Sequence, residues 1–323
     1  MTNPVFVVQQ AIDQALTDYV GRDVIVACSG GPDSMSLAVN AFELSRRRDW
    51  SVTCVVVDHQ WHSNSGENTK QVKNTLLRLG IEQVEVVQVG ISAQSNKESV
   101  ARDLRYSALL EFSNKLNNAP VLLGHTKEDQ VETVLMRLVR GSGARSLAGI
   151  PTKRDVYLRP LMHLSKEVVH AALSDSVPTI SDPANSDENF LRVRVRNKVI
   201  PTLKTELGAD VIDGLYRTAE LLRVDADYLD KLAEKALSEV IQAGQLDIKL
   251  LQDEDPAIRT RVIQMWLLDN HVPSSSLQSV HIWAVDELVS KWHGQKEVDL
   301  PGGFEVRRDS GRLIISKSTL GAK

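Results

Sequence analysis

Two periodicities alternate along the first half of this chain, and that alternation limits the fold more than any other feature of the sequence. Short β-branched runs occupy Val24–Ala27 and residues 52–57, 84–89 and 121–124, with a weaker fifth at 156–158. Helical spacing fills the intervals at 34–47, 67–79, 97–116 and 127–140. Strands that are apolar throughout, each returned by a helix, imply a parallel sheet covered on both faces. The expected fold is a doubly wound α/β domain. In such a sheet ligands bind beyond the carboxyl ends of the strands, where strand order reverses, normally between the first and fourth strands.

From about residue 197 the pattern becomes helical without interruption. Val211, Leu215, Ala219, Leu222, Ala226 and Leu229 repeat at three and four residues, and no strand signal precedes Gln245. Further helices fit 256–268 and 276–292, and residues 297–300, 304–307 and 313–316 with their intervening glycines read as a small β meander. The 323 residues suffice for two cores. The expected division is 1–209, an α/β catalytic domain, and 210–323, a mainly helical domain ending in the meander. No apolar run is long enough for a membrane span and the N-terminus has no charged signal-peptide start, so a cytoplasmic protein with no membrane partner is expected. Cys28 and Cys54 lie in apolar β-like runs and read as buried thiols, which excludes a disulfide framework and a CxxC site. A net charge of −4 excludes a basic coat for indiscriminate nucleic-acid binding and confines any RNA contact to a patch. A homodimer is allowed but not specified.

The loop after the first strand is Ser29-Gly30-Gly31-Pro32-Asp33-Ser34. Adjacent glycines let the backbone close around an anion, and the helix that follows offers unpaired N–H groups and a positive dipole end to phosphate. This is not a Walker A loop, which needs a wider glycine spacing ending in Lys and Ser or Thr, and here an acid, Asp33, occupies the loop. A carboxylate beside phosphates calls for a cation between them, which makes Asp33 a Mg²⁺ candidate. After the fourth strand comes Gly124-His125-Thr126-Lys127-Glu128-Asp129-Gln130-Val131-Glu132-Thr133. Asp129 and Glu132 are three apart at a helix start, so they share one face, which would meet Asp33 across the crevice. Acids in a first helical turn also oppose the helix dipole whatever else they do.

Asp58-His59 ends the second strand, where an adenosine would lie, although a strand end often carries a mere turn former. His59 and His62 lack a third ligand for zinc. Arg102 and Arg105 share a helix face, which suits surface salt bridging as well as substrate binding. Arg192, Arg194 and Arg196 alternate with Val193 and Val195; on an extended segment all three guanidinium groups would point one way, an arrangement suited to phosphate. Arg46-Arg47-Arg48 sits at a helix C-terminus, where cations are favoured anyway, and reads as structural.

The stretch Ser29 to Ser34 resembles the signature of the PP-loop ATP pyrophosphatases, which cleave ATP between the α and β phosphates. Val57-Asp58-His59, Ala101-Arg102 with Arg105-Tyr106, Gly124-His125 through Thr133, Arg140-Gly141, Arg159-Pro160-Leu161 and Asp182-Pro183-Ala184-Asn185 occur in the order seen in the tRNA(Ile)-lysidine synthetases, over about residues 20–205. The resemblance implies a Rossmann-like PP-loop domain, a helical tRNA-binding domain, and a ligase that forms a carbon–nitrogen bond. ATP, with Mg²⁺, would adenylate the C2 carbonyl oxygen of the wobble cytidine in an isoleucine tRNA with a CAU anticodon. Free L-lysine would then displace AMP to give lysidine, changing codon specificity from AUG to AUA. Ser29, Gly30, Gly31, Pro32, Asp33 and Ser34, with Asp58, His59, Gly124 and His125, would hold ATP, and Asp33 and Asp129 would meet the metal. Arg102, Arg105, Asp129, Glu132, Arg192, Arg194 and Arg196 would bind substrate, with Asp33, Asp129, Glu132, Arg102 and Arg192 as the catalytic set. His59 is followed by Gln60-Trp61-His62 where the family usually has Gly-Leu-Arg, and the family's Arg-Asn pair falls at Arg196-Asn197 while Arg192-Val193 occupies its usual slot. Either arginine remains open as the acting one.

The free amine of lysine has a pKa of about 10.4, so the attacking nitrogen arrives protonated and must lose a proton. Asp129 or Glu132 is placed to attract the ammonium and take that proton. Three rival functions are weighed against this one. A tRNA 2-thiolation enzyme of the same superfamily calls for reactive cysteines. A small-molecule ligase of the NAD synthetase kind has no use for the arginines or the helical domain. A non-enzymatic nucleotide sensor needs neither the second acidic loop nor the arginines.

Overall fold

The computed structural model describes residues 3–19, 21–58, 65–90, 97–141, 143–180 and 187–317. It forms two compact units, the first made of residues 1–136 and 149–217, the second of 137–148 and 218–323. In chain order the elements up to the long helix are α1 (Pro4–Ala15), β1 (Val24–Ala27), α2 (Pro32–Ser45), β2 (Val52–Asp58), α3 (Ser65–Arg78), β3 (Val84–Gln88), α4 (Lys97–Lys115), β4 (Val121–Leu123), α5 (Lys127–Leu138), α6 (Ala144–Leu147), β5 (Lys153–Arg154), β6 (Tyr157–Leu158), α7 (Lys166–Ala171), α8 (Leu191–Arg194), a π-helical turn Val195–Val199, α9 (Ile200–Leu207) and α10 (Val211–Val240). Of these, α6 lies in the second unit.

The first unit is built on a six-stranded sheet ordered β3-β2-β1-β4-β6-β5. β1 pairs in parallel with both β2 and β4, so strand order reverses between β1 and β4 as the alternation requires. Successive residues of β1 feed opposite cores, as the two-residue side-chain period dictates. Val24 and Val26 pack with Leu37, Leu76, Leu158 and Leu161, whereas Ile25 packs with Val55, Leu109, Val121 and Tyr157. The weak fifth run is β6, parallel to β4, and β5 follows it at the sheet edge through a hairpin whose turn residue Asp155 has φ of +53°. The sequence reading did not include α1, yet its start is locally written: the Asn3 side chain accepts from the Val5 N–H and Pro4 opens the first turn. A third cluster joins Val131, Val195, Ile200 and Ile212.

In the second unit, α11 (Ile248–Gln252), α12 (Pro256–Asp269) and α13 (Ser279–Ser290) pack with Ala233, Ala236 and Val240 of α10 around Trp266, which is fully buried and donates its indole N–H to the carbonyl of Gly244 at 2.8 Å. The expected meander is present as β9 (Glu297–Leu300), β10 (Phe304–Asp309) and β11 (Arg312–Lys317). It is the larger part of a five-stranded antiparallel sheet, because β7 (Ile241–Gln242) and β8 (Gln245–Asp247) join it through Arg312 and Leu313. No described helix is long and apolar enough to cross a membrane.

Candidate active site

The loop between β1 and α2 is held by short-range constraints that its sequence announces. Gly30 adopts φ of +84°, and a Cβ there would stand 2.4 Å from Cγ2 of Val72. Only glycine fits. Oγ of Ser34 accepts the Ser29 N–H at 3.1 Å and donates to the Gly31 carbonyl at 3.0 Å, closing the loop on itself. Gly31 is the N-cap of α2 and supplies no side-chain capping bond, which leaves the first N–H groups of the helix to an anion. The second loop presses on this one: a Cβ on Gly124 would lie 3.2 Å from the backbone of Asp33 and Ser34. The two loops at the β1–β4 switch point are thus in contact.

α5 begins with Thr126 before it, and Oδ2 of Asp129 reaches back to the Thr126 N–H at 2.9 Å and its hydroxyl at 3.0 Å, half of a capping box. This fixes Asp129 with Glu132 one turn on. Glu132 is fully buried and gripped by two arginines: Arg192 donates from Nε to Oε2 at 2.7 Å, and Arg196 from Nε to Oε1 at 2.6 Å and from Nη2 to Oε2 at 2.9 Å. Arg192 also donates to Oδ1 of Asp129 at 3.1 Å. Nζ of Lys166 stands 3.9 Å from Asp129 Oδ1 and 4.0 Å from Glu132 Oε1.

The extended segment expected over Arg192, Arg194 and Arg196 is helical instead, running through α8 and the π turn. A repeat of arginine and valine fits a strand of period two, but Val193 and Val195 are buried equally well by a helix. On the helix Arg192 and Arg196 fall one turn apart and meet the acids together, whereas Arg194 points elsewhere and donates to the carbonyls of Glu188 and Asn189 at 2.7 and 3.0 Å. Arg194 is therefore not brought to the acids.

Asp33 lies where the loop places it, at the start of α2, with Oδ1 2.8 Å from Nε2 of His170. Burial raises its pKa and nearby Asp129 adds to this, against the opposing pull of Lys166 and the His170 contact. Asp129 is shifted the other way: burial alone would raise it, but the cations Lys166 and Arg192 and the Thr126 N–H hold it below the usual carboxylate range. Two neighbouring acids of one site are thereby separated in proton affinity. His125 is pushed down to about 3 by burial, reinforced by Arg159, Arg105 and Arg192, so the ring is neutral, and its enclosed Nδ1 has no partner among the described residues. Arg102 and Arg105 both lie against the ring of Tyr106, with guanidinium carbons 5.1 and 5.6 Å from its centroid. Asp58 is buried at the end of β2 and accepts from Oγ of Ser65. His59, His62 and Asp182 through Asn185 lie outside the described residues.

Lys166 and His170 were not among the expected site residues. They are four apart on α7, so one face of that short helix delivers a cation to Asp129 and an imidazole to Asp33. Nothing local distinguishes them from an ordinary polar helix face; only the packing of α7 beside α2 does. Among the described residues no three metal-ligating side chains gather. Asp129 and Glu132 are already engaged by guanidinium groups, while Asp33 is not. That donor set suits a Mg²⁺ held largely by phosphate oxygens and one carboxylate, rather than a cage built by the chain. Burial pushes both thiols, Cys28 and Cys54, above their ordinary range, and neither is a reactive thiolate.

Residues 5–203 match the family model of a PP-loop domain, and residues 246–314 match that of a TilS substrate binding domain. A tRNA(Ile)-lysidine synthase of Thermobifida fusca is 42% identical over 97% of this chain and 98% of its own. Relatives of the same name from Salinispora tropica and Streptomyces coelicolor are 39% and 40% identical, over 96% and 90% of this chain and 96% and 84% of theirs. The solved U34-tRNA thiolase NcsA from Methanococcus maripaludis, with its [4Fe-4S] cluster, shares the fold at a TM-score of 0.55 and 18% identity, over 67% of this chain and 78% of that one.

Proposed function

The chain belongs to the tRNA(Ile)-lysidine synthase family, and we propose that the residues gathered at the β1–β4 crevice carry out that family's reaction. It is an ATP-using ligase that makes lysidine on isoleucine tRNA. The steps assigned here to particular residues are our reading. The N-terminus of α2 and the loop Ser29 to Ser34 hold the phosphates of ATP. The C2 carbonyl oxygen of the wobble cytidine attacks the α phosphorus; an oxygen–phosphorus bond forms, and pyrophosphate leaves with the electrons of the bond it breaks. The carbonyl oxygen has then become part of a phosphate leaving group. The ε-amine of lysine, its ammonium proton released to water, attacks C2, and AMP departs with the carbon–oxygen bond pair.

Asp129 and Glu132 attract the incoming ammonium. The depressed proton affinity of Asp129 suits holding that charge better than accepting its proton. Arg196 is bound up with Glu132 and serves as its buttress. Arg192 makes two hydrogen bonds to the acids where Arg196 makes three, and its charge is felt at Arg105 and His125, so it is the better-placed cation for the adenylate phosphate. Mg²⁺, bound through Asp33 and the phosphates, would supply charge neutralisation at the triphosphate. The partners are an isoleucine tRNA with a CAU anticodon and free L-lysine, the compartment is the cytoplasm, and the division of labour is catalysis by residues 1–209 and tRNA binding by 210–323.

The observation that carries this reading is the convergence of Asp33, Asp129, Glu132, Arg192 and Lys166 beside an uncapped helix N-terminus. The inert state of Cys28 and Cys54 weighs against sulfur transfer. A pyrophosphate-release assay tests the reading. Sustained release should require ATP, tRNA and lysine together, with omission of lysine limiting release to about one equivalent per enzyme. Release without tRNA would overturn it.

A further inference from the structure

Tyr106, on α4, is surrounded by arginine. The guanidinium carbons of Arg102, Arg105 and Arg154 lie 5.1, 5.6 and 5.7 Å from its ring centroid, and Arg159 donates from Nη2 to its hydroxyl at 3.2 Å. The ring is fixed from the other side by Tyr157, edge-on at 4.8 Å and 71°, whose hydroxyl donates to the Tyr106 carbonyl at 2.6 Å. Nε of Arg105 and Nε of Arg159 are enclosed with no partner among the described residues. Four positive charges thus share one phenol, and a phenol face is a weak counter-charge. Among the described residues the only carboxylate within ion-pairing distance of the four is Asp155, 3.8 Å from Arg154, and both of these side chains are largely exposed, at 74% and 59%. Such a cluster repels itself unless an anion comes to it.

Two features indicate which anion. First, the cluster is open: Arg102 and Arg154 are exposed, while Arg105 and Arg159 stand behind them. A pocket selective for a small amino acid encloses its ligand, whereas exposed forks over an aromatic floor suit a phosphodiester that passes across the surface. Second, Arg154 lies on the edge strand β5, two places beyond β4 and three beyond β1 in the sheet order. At about 4.8 Å per strand the ATP loop is ~14 Å from β5 across the sheet, too far for Arg154 to share its phosphates, while the crevice loop after β4 is only ~10 Å away. A strand with one nucleotide in the crevice can lay its flanking backbone there.

We propose that Arg102 and Arg154, backed by Arg105 and Arg159 on the floor made by Tyr106, form a subsite for a backbone phosphate of the tRNA strand flanking the modified nucleotide. The proposal rests on the lysidine-forming reading of the crevice. It is tested on the full chain by measuring the affinity for isoleucine tRNA across a range of salt for the wild type, Arg154→Gln and Asp155→Asn, with ATP and lysine KM values taken alongside. Arg154→Gln should weaken tRNA binding and lower the slope of log affinity against log salt by about 0.7, the value for one single-strand contact. Asp155→Asn keeps the left-handed turn that asparagine tolerates, removes the lone carboxylate, and should tighten binding. ATP KM should be unchanged in both, which reports an intact fold. An unchanged salt slope in Arg154→Gln overturns the subsite, as does a rise in lysine KM with tRNA binding intact, which would assign the cluster to the amino-acid carboxylate. If the wild type itself makes no lysidine from ATP, lysine and tRNA, the reading of the crevice fails instead.

Discussion

Glu132 is the residue on which the site's electrostatics turn, because a carboxylate with no exposed surface has no water around it and depends on the two guanidinium groups that hydrogen-bond it. Removing one partner leaves a buried charge partly uncompensated, a loss that in general amounts to about 3–5 kcal/mol. Arg196→Ala should accordingly lower the unfolding free energy measured by denaturant titration by an amount in that range, and Glu132→Gln should cost less, since the amide oxygen still accepts from the guanidinium groups. His125 gives the molecule a pH dependence of known sign. Its pKa falls from 6.5 to about 3 on folding, so between those values the unfolded chain binds a proton that the folded chain does not. Its contribution to stability is complete above the unfolded value and is lost progressively as pH falls from there toward 3. The fall in Tm from about pH 7 to about pH 5 should be smaller in His125→Asn than in the wild type. A steeper fall in the variant would show the assignment to be wrong.

At the scale of elements, the crevice exists because two loops touch, and the contact depends on a missing side chain. Gly124→Ala would place a methyl 3.2 Å from the backbone of Asp33 and Ser34 and push the first turn of α2 away from the loop after β4. The expected result is a fall of about tenfold in kcat/KM for ATP with little change in Tm, since sub-ångström misplacement of a phosphate cradle costs rate more than stability. A variant with unaltered ATP kinetics would place the phosphates elsewhere. The same scale explains what could be read in advance. The glycine loop and the Asp129–Glu132 pair are local: their geometry follows from a tight turn and from a first helical turn, so the residues carry their own placement. The arginines after residue 190 did not, because alternating Arg and Val satisfies a half-buried strand and a helix alike, and only burial of Val195 and Ile200 against Val131 and Ile212 decides for the helix.

For the whole molecule, the first unit runs on to Arg217, and Ile212 and Asp213 belong to it: Ile212 packs with Val131 and Val195, and Asp213 accepts from Nζ of Lys127 at 2.7 Å. A chain ended after Arg217 should therefore melt higher than one ended after Ala209, and should still bind ATP while failing to modify tRNA. Modification by either fragment at the full-length rate would remove the second unit from the reaction. The sequence by itself determined the doubly wound sheet, its switch point, the phosphate loop and the helical second half with its meander, because each of these follows from a period or a turn that neighbouring residues complete. Only tertiary packing decided that Arg192 and Arg196 close on Glu132 while Arg194 turns away, that Lys166 and His170 face the acids from α7, and that arginines from α4 and from the β5–β6 edge converge on Tyr106. Those contacts join segments up to 137 residues apart, as for Asp33 and His170, and no local period records a meeting at that distance.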